Sequence, residues 1–405
     1  MMKIETTHVG SLPRPQAVCD VLFAQERGEA VDAGRASAVF TEATDAVLAR
    51  QRKAGISLPS DGEMSKISYA TYIKERLTGF EGDSPRRAPA DLEAYPEYLQ
   101  KIAKSGGTPS YRRPQCVGPI KVKNLQPLHD DIARMKAAMK AAGYRKGFMN
   151  SASPGVIALF QPSVYHKDLE SYLFDLAEAM SAEYEAIAAS GLILQIDAPD
   201  LGVGRHMMYK DLDDRAFVRQ AALHIDALNH ALRNVPGESA RMHVCWGNYE
   251  GPHHLDVPLA KIIKTVLKAK PRALLFEGAN PRHAHEWRVW QETKAPDDYV
   301  LIPGVIDSTT NFIEHPELVA ERIERYVSLV GSDRVIAGTD CGFGTFAGFG
   351  AVVGEIAYAK LASLTEGARI VSRGLKARPR NVTPRKVKRV PRKLAAKKTA
   401  PRGKR

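Results

Sequence analysis

The chain has 405 residues, of which 44% are hydrophobic and 7% aromatic, so most of it can bury a core and is not disordered. Its four cysteines lie far apart, which excludes the disulfide framework of a small secreted domain and favours metal binding or catalysis. The N-terminus has no apolar signal region and no run reaches about 18 apolar residues, so we expect a cytoplasmic protein without a membrane span.

The net charge of +12 comes from the C-terminal end of the chain. Residues 373–405 contain 15 Lys and Arg and no Asp or Glu, which leaves residues 1–372 with a net charge of −3. The segment is rich in Pro, Ala and Lys and lacks hydrophobic periodicity, so we predict a disordered basic tail. Two roles for this tail stay open: non-specific contact with a polyanion, or solubilisation of the chain.

Short apolar runs alternate with longer amphipathic stretches along the rest of the chain, a pattern typical of βα units around a parallel sheet. Residues 167–190 and 316–331 repeat apolar side chains every three or four positions and are predicted helices. Eight segments are predicted strands: 3–11, 55–63, 146–153, 192–199, 241–247, 273–280, 300–307 and 334–342. Eight such units predict an α/β fold, a (β/α)8 TIM barrel.

One region departs from the repeat. Residues 80–145 are rich in turn formers, and residues 111–124 alternate as a strand or hairpin does. We interpret this region as an insertion after the second strand. The predicted domains are therefore a barrel over residues 1–372 and the tail over 373–405.

The predicted strand ends carry many metal-ligand and acid–base side chains. In a TIM barrel the chemistry lies at the C-terminal ends of the strands, so these side chains are expected on one rim. They are His8, Ser11, Asp61, Glu63, Ser151, Asp197, His243, Cys245, Glu277, Asp307, Asp340 and Cys341.

Four of these side chains form a candidate metal site. His243 and Cys245 are two positions apart, so on a strand they point to the same face, as two ligands or as a core position beside a buried thiol. Glu277 and Cys341 end two other predicted strands, although singly they also fit a salt-bridged rim residue and a buried thiol. Together the set suits Zn²⁺ better than Mg²⁺ or Ca²⁺ and leaves iron open. A zinc site with two thiolates can hold an incoming thiol as thiolate, which implies alkyl transfer to a thiol.

The order of short motifs resembles the catalytic C-terminal barrel of cobalamin-independent methionine synthase. The family also includes short zinc-dependent thiol transferases similar to epoxyalkane:coenzyme M transferase. The matching pieces span most of residues 3–345: TTHVGSLPR (6–14), DGE (61–63), QIDAP (195–199), HVC (243–245), FEG (276–278), PGVID (303–307) and GTDCG (338–342).

The resemblance implies a zinc-dependent methyltransferase that converts homocysteine to methionine with a donor such as 5-methyltetrahydropteroyl-glutamate. It implies that Zn²⁺ is held by the four residues of the candidate metal site, His243, Cys245, Glu277 and Cys341. It further implies that the amino-acid part of the substrate is held by Val9, Ser11, Glu63 and Asp197. Physically, two carboxylates can bind an ammonium, and the turn at residues 10–11 can offer N–H groups to a carboxylate.

Two departures from the family pattern bear on the methyl donor. Ala198 stands where the family has a glutamate, and Thr309 stands near the position of the histidine thought to activate the donor. Asp307, with Glu63, is our candidate catalytic residue, and His315 is an alternative acid. The donor is therefore a methylated pterin, a corrinoid or another carrier. Four further histidines lie in loops compatible with the rim, and most of them are expected to be ordinary surface residues: His253, His254, His283 and His285.

Other functions compete with this hypothesis. Within the enzymes, the alternative is a zinc-dependent transferase that joins a different thiol and electrophile, such as an epoxide. From another class, the barrel is a scaffold and the basic tail binds nucleic acid or another polyanion. A heme-pathway decarboxylase of similar fold is the third alternative, although it needs no thiolate metal site.

Overall fold

The computed structural model describes residues 3–85, 88–104 and 111–377. The strands of this part are β1 Glu5–Thr6, β2 Phe80–Glu81, β3 Gln115–Cys116, β4 Phe148–Ala152, β5 Ile193–Asp197, β6 Ala240–Val244, β7 Ala273–Phe276, β8 Val300–Ile306 and β9 Ile336–Thr339. Its helices are α1 Gln16–Glu26, α2 Ala33–Ala54, α3 Ala90–Glu93, α4 Pro96–Lys104, α5 Gln126–Ala141, α6 Pro154–Phe160, α7 Leu169–Ala189, α8 Gly204–Met207, α9 Asp214–Ala231, α10 Leu259–Val266, α11 Val289–Glu292, α12 Pro316–Val330 and α13 Gly354–Ala377.

Seven strands form a curled parallel sheet in the order β1-β9-β8-β7-β6-β5-β4. Residues 57–59 lie between its two edges, because the Thr6 carbonyl accepts from the Ser57 and Leu58 amides at 3.1 and 3.0 Å and the Pro59 carbonyl accepts from the Phe148 amide at 2.9 Å. The fold is the expected TIM-barrel type. The prediction of a strand over 55–63 is wrong. Pro59 has no N–H to donate, and the Ser57 and Leu58 amides share one carbonyl, so no regular ladder forms here.

The other predicted strands and both predicted helices are confirmed, with shorter bounds. Helix α7 begins after Asp168, whose side chain accepts from the Ser171 amide at 2.8 Å. Helix α2 ends at Gly55, whose φ of 85° suits glycine and turns the chain into the irregular segment that closes the barrel. Local capping therefore sets where these elements stop.

The insertion is present, and of the two forms left open for residues 111–124 it contains a short strand rather than a hairpin on itself. Strand β3 pairs antiparallel with β2, so that Phe80 lies opposite Cys116. Helices α3 and α4 lie between these two strands in sequence. The Tyr98 hydroxyl of α4 donates to the carbonyl of Glu250 at 2.6 Å, which ties the insertion to the loop after β6.

The C-terminal boundary of the barrel also moves. Helix α13 runs to Ala377, so residues 373–377, which were assigned to the tail, are helical. Residues 378–405 lie outside the described part, and their disorder stays a prediction. In the described part, no helix is both long enough and apolar enough to cross a bilayer.

A buried arginine fills the interior of the barrel below the strand ends. The guanidinium of Arg241 donates to Gln195 Oε1 at 2.8 Å, to Thr7 Oγ1 at 3.1 Å and to the His8 carbonyl at 3.1 Å. It also lies 3.5 Å above the ring of Phe148. Burial lowers its pKa to about 9, which still leaves it charged at neutral pH. This one side chain therefore links β4, β5 and β6 with the residues that follow β1.

We expect Arg241→Met to lower the free energy of unfolding by about 3 kcal/mol or more, because a buried acceptor without its donor costs about 1–3 kcal/mol. Urea unfolding followed by circular dichroism measures this. The control is Arg50→Met, which removes an exposed ion pair with Glu355 and should cost less than about 1 kcal/mol. Equal midpoints for Arg241→Met and the unaltered protein would contradict the role given to Arg241.

Candidate active site

A cavity of about 400 Å³ opens at the C-terminal ends of the strands. Its wall includes seven of the nine site residues predicted from the sequence, the exceptions being Glu277 and Asp307. The seven are Val9, Ser11, Glu63, Asp197, His243, Cys245 and Cys341. The rim prediction thus brings together residues from five separate segments of the chain.

Three of these residues form a compact ligand cluster. His243 lies in β6, Cys245 follows that strand on the same face, and Cys341 follows β9. One ligand atom from each lies within 4.8 Å of the other two, and all three side chains are buried. The two Sγ atoms are 2.9 Å apart and both cysteines are free thiols. The spacing seen in the sequence therefore brings together side chains that could hold a metal ion.

Glu277 lies beside this cluster and has its own partners. Its Oε1 is 3.8 Å from Cys341 Sγ and accepts from the Trp246 amide at 2.7 Å. Its Oε2 accepts from Asn280 Nδ2 at 2.7 Å. Glu277 is thus close enough to serve as a fourth, exchangeable ligand, but the structure holds it slightly apart from the other three.

The chemistry of these groups fits a soft divalent cation. Within the described residues, His243 Nδ1 is buried without a hydrogen-bond partner, and burial with the nearby Arg241 charge lowers the His243 pKa to about 3, so the imidazole is neutral. Burial raises the pKa of Glu277 and raises that of the Cys341 thiol well above its usual range. Acidic groups crowded this way are costly to ionise without a cation, and Zn²⁺ would supply the missing positive charge.

Hydrogen bonds of Asp340 and Asn280 orient Glu277. Asp340 accepts from the amides of Gly278 and Ala279 at 2.8 and 2.9 Å and from the amide of Asn280 at 2.8 Å. Asn280 Nδ2 bridges the Asp340 and Glu277 carboxylates. Burial raises the pKa of Asp340 to about 7. Asn280 was not predicted; the only signal in the sequence is its place three residues after Glu277.

Two carboxylates, Glu63 and Asp197, also line the cavity, and Asp197 pairs in register with His243 of the neighbouring strand. Glu63 has a φ of 57°, unusual for a residue with a side chain, and its Oε2 is 3.9 Å from the Arg14 guanidinium. Asp197 accepts from Asn150 Nδ2 and Gln195 Nε2, both at 2.8 Å. Burial raises the pKa of Glu63 to about 7 and that of Asp197 to about 6. The pair is therefore poised to gain charge when a cation binds.

The predicted backbone site at residues 9–11 is tightly packed. The Val9 carbonyl accepts from Asn150 Nδ2 at 2.8 Å. Gly10 has a φ of 147°, and a Cβ there would lie 2.3 Å from Asn150 Oδ1, so only glycine fits. A Cβ added at Gly342 would likewise clash with Ser11 Oγ. The strand-end turn is thus fixed against the other walls of the cavity.

Neither of the candidate donor acids lies in the cavity wall. The Asp307 carboxylate accepts from the Thr309 amide at 2.9 Å and from the Thr310 hydroxyl at 2.7 Å, which closes its own turn. His315 is exposed and caps α12, where its Nδ1 accepts from the Glu317 amide at 3.3 Å. Their catalytic roles stay predictions, and the observed bonds are structural.

Two of the four histidines, most of which are expected on the surface, are buried instead. His253 and His283 are 8% and 3% exposed and both contact the Asp256 carboxylate, at 3.1 and 3.0 Å. The ring of His283 also lies 4.5 Å from that of Trp246. The expectation was wrong because three loops fold over one another here, which a single sequence does not reveal. His254 and His285 are exposed as expected.

Asn248 joins three loops at the rim and was also missed. Its Nδ2 donates to the Gly342 carbonyl at 2.7 Å and its Oδ1 accepts from the Ser308 hydroxyl at 3.0 Å. That hydroxyl in turn accepts from the Cys341 amide at 3.1 Å. The loops that carry Cys245 and Cys341 are therefore fixed to each other.

Comparison with known proteins gives one consistent family. Residues 4–353 match the family model described as the cobalamin-independent synthase, catalytic domain. The chain is 25% identical over 378 residues to a methionine synthase of Saccharolobus solfataricus and 27% identical over 379 residues to that of Saccharolobus islandicus, each time covering 92% of this chain and 96% of the relative. A B12-independent methionine synthase structure from Shewanella, solved with selenomethionine, is similar in fold, with a TM-score of 0.69, 18% identity and coverage of 93% of this chain and 99% of that one.

We expect Cys245→Ser and Cys341→Ser each to lose most of the bound zinc, because a hydroxyl is a much weaker zinc ligand than a thiolate. Elemental analysis of protein loaded with one equivalent of Zn²⁺ and then desalted measures the retained metal. Cys116→Ser is the matched control, since Cys116 is a buried thiol in β3 outside the cluster. Full zinc content in both cluster variants would rule out this site.

Proposed function

Because the chain belongs to the family of cobalamin-independent synthase catalytic domains, we propose that it transfers a methyl group to the thiol of homocysteine and so forms methionine. The observation that carries the proposal is the cluster of His243, Cys245 and Cys341 at the floor of a cavity that also holds two carboxylates. The names of the similar relatives agree with it.

The metal cluster and Glu277 supply the thiol site. Zn²⁺ held by these side chains would lower the pKa of a bound thiol and keep its sulfur nucleophilic at neutral pH. The neutral imidazole of His243 could bind the metal through a ring nitrogen. Glu277 has bonds to the Trp246 amide and Asn280 in place of the metal, so it could give up its position to an incoming ligand. Burial, with a smaller contribution from the Arg241 charge below the floor, lowers the pKa of His243 and keeps it neutral.

Glu63, Asp197 and the segment 9–11 would form the amino-acid site. Glu63 and Asp197 would bind the substrate ammonium, and the backbone at Val9 and Ser11 would receive its carboxylate. The Arg14 guanidinium orients Glu63, since its Nε donates to the Glu63 carbonyl at 3.1 Å. A thiol substrate held at both ends presents its sulfur at one fixed point of the cavity.

The methyl donor is the open part of the assignment. The resemblance points to a methylated pterin, but the side chains of Asp307 and His315 are bonded within their own loops. A cytoplasmic location and contact of the basic tail with a polyanion stay predictions.

The activity test is the formation of methionine by zinc-loaded protein from homocysteine and a panel of donors, read by mass spectrometry. The panel contains a methylated tetrahydropteroyl-glutamate, methylcobalamin and an epoxide, and each donor is also offered with 2-mercaptoethanesulfonate as the thiol. We expect methylation of homocysteine and little reaction of the other thiol. Reaction only with 2-mercaptoethanesulfonate and the epoxide would replace the proposal with the alternative transferase.

The carboxylate pair predicts a pH dependence of homocysteine binding. Glu63 and Asp197, with pKa values of about 7 and 6, are neutral below those values, so the KM for homocysteine should rise as the pH falls from about 8 to 6. Glu63→Gln should raise KM at pH 8 by about 10- to 100-fold, the loss expected for a charge-assisted hydrogen bond, and should flatten the profile.

Steady-state kinetics between pH 6 and 8 check both expectations. The exposed Glu238→Gln provides the control and should leave the profile unchanged. A KM for the unaltered protein that stays constant over this range would show that the two carboxylates do not bind the ammonium.

A further inference from the structure

A buried lysine lies beside the proposed amino-acid site. Lys66 is 4% exposed, and its ammonium donates to the Asn150 carbonyl at 2.6 Å and lies 4.4 Å from the centre of the Tyr72 ring. Arg76 and Lys360 are as deeply buried, and each forms an ion pair with a carboxylate. In the described part of the chain, by contrast, no carboxylate oxygen lies within 4.0 Å of the Lys66 ammonium. An ammonium without an ion-pair partner is costly to bury, so packing alone does not explain its position.

Lys66 closes the turn that presents Glu63 to the cavity. The Lys66 amide donates to the Glu63 carbonyl at 3.1 Å, and the Asp61 carboxylate accepts from the Glu63 amide at 3.0 Å. Glu63 has a φ of 57° in this turn, a backbone conformation that residues with side chains rarely adopt. Bonds on both sides of Glu63 therefore hold it in a conformation that the free chain would rarely visit.

The Lys66 side chain reaches the second carboxylate of the site through Asn150. This residue lies in β4, and its side-chain amide donates to Asp197 Oδ2 and to the Val9 carbonyl, both at 2.8 Å. Its main-chain carbonyl accepts from the Lys66 ammonium. One side chain therefore connects the Glu63 turn with the strand residue that fixes Asp197 and the segment after β1.

The Lys66 charge acts on the acidic groups of the site. Burial raises the pKa of Glu63 to about 7, and the Lys66 charge opposes that rise more strongly than the Arg14 charge does. Lys66 likewise opposes the effect of burial on the pKa of Asp61 and on that of Asp197. Glu63 is thus faced by two cations, Lys66 and Arg14, and by two carboxylates, Asp61 and Asp197.

The remaining titratable groups around Lys66 are bonded elsewhere. Glu183 of α7 pairs with the Arg76 guanidinium at 2.8 Å and accepts from the Tyr72 hydroxyl. Burial and the Glu183 charge raise the pKa of Tyr72 well above its usual range, so this phenol stays neutral. The Lys66 charge is therefore left to act on the amino-acid site.

We propose that Lys66 is a positioning residue of the amino-acid site, which holds Glu63 and Asn150 in place and keeps the Glu63 carboxylate ionised for the substrate ammonium. This inference rests on the proposed function and adds a residue to its amino-acid site. Lys66 is not among the described residues of the cavity wall, so it acts through Glu63 and Asn150 and does not touch the substrate.

The test is the binding of methionine to zinc-loaded protein, measured by calorimetry between about pH 6 and pH 8.5. Methionine carries the same ammonium as homocysteine and has no thiol, so its affinity reports the amino-acid site. In the unaltered protein the affinity should fall as Glu63 gains a proton below about pH 7. In Lys66→Met the lost charge raises the Glu63 pKa, so the midpoint should move upward by about one pH unit or more, which weakens binding at pH 7 about fivefold or more.

Two further variants separate the charge of Lys66 from its hydrogen bond. Lys66→Gln can still donate to the Asn150 carbonyl but has no charge, so its midpoint should move as in Lys66→Met. Lys66→Arg keeps the charge and should leave the midpoint within about half a unit of that of the unaltered protein. The matched control is Lys74→Met, because Lys74 is paired with Glu26 outside the cavity wall and should leave the profile unchanged.

Two fragments of methionine show whether the effect is confined to the ammonium. The amine 3-(methylthio)propylamine lacks the carboxylate, and 4-(methylthio)butanoate lacks the ammonium. In Lys66→Met and Lys66→Gln the amine should lose affinity as methionine does, and the affinity of the acid should change less than about twofold. A uniform loss for both fragments would assign Lys66 a packing role only and overturn the proposal.

The outcomes also separate this proposal from the proposed function. The same midpoint in the unaltered protein, Lys66→Met and Lys66→Gln would overturn the role of Lys66 and leave the amino-acid site in place. Failure of the unaltered protein to bind methionine would reject the amino-acid site itself, and the proposed function with it.

Discussion

The site depends on one buried cation in the interior of the barrel. Arg241 bonds to Gln195 of β5 and, across the barrel, to Thr7 after β1. Together with burial, which is the larger cause, its charge lowers the pKa of His243, and it counters the rise that burial gives the pKa of Asp197 less strongly than the bonds from Asn150 and Gln195 do. One residue therefore acts on two parts of the cavity floor: the imidazole of the candidate metal cluster and one carboxylate of the predicted amino-acid site.

Much of this arrangement can be predicted from the sequence, because strand ends in a parallel barrel meet at one rim. His243 and Cys245 are on one face by their spacing alone, and Cys341 joins them since β9 ends on the same rim. The failures are also physical. Pro59 interrupts the ladder where the second strand was expected, and the partner of β3 is a segment more than thirty residues earlier, which no local pattern reveals.

The residues that orient the site were harder to predict than those that form it. Asn280 and Asn248 act through contacts between loops that follow different strands, so their function exists only in the folded chain. The same holds for the aromatic rings of the cavity wall, which are scattered from Tyr69 to Phe349 in the sequence. A lone Phe or Asn in a loop carries no periodic signal, whereas a ligand pair on a strand does.

The position of the candidate site within the cavity bears on the proposed reaction. Glu63, Asp197 and the cysteine cluster lie at the strand ends, and residues of helices α3 and α4 line the same cavity. If homocysteine binds at these carboxylates as proposed, a second molecule in the rest of the cavity would stand in its path. The thiol would then have to enter first and its methylated product leave last, an order set by depth alone.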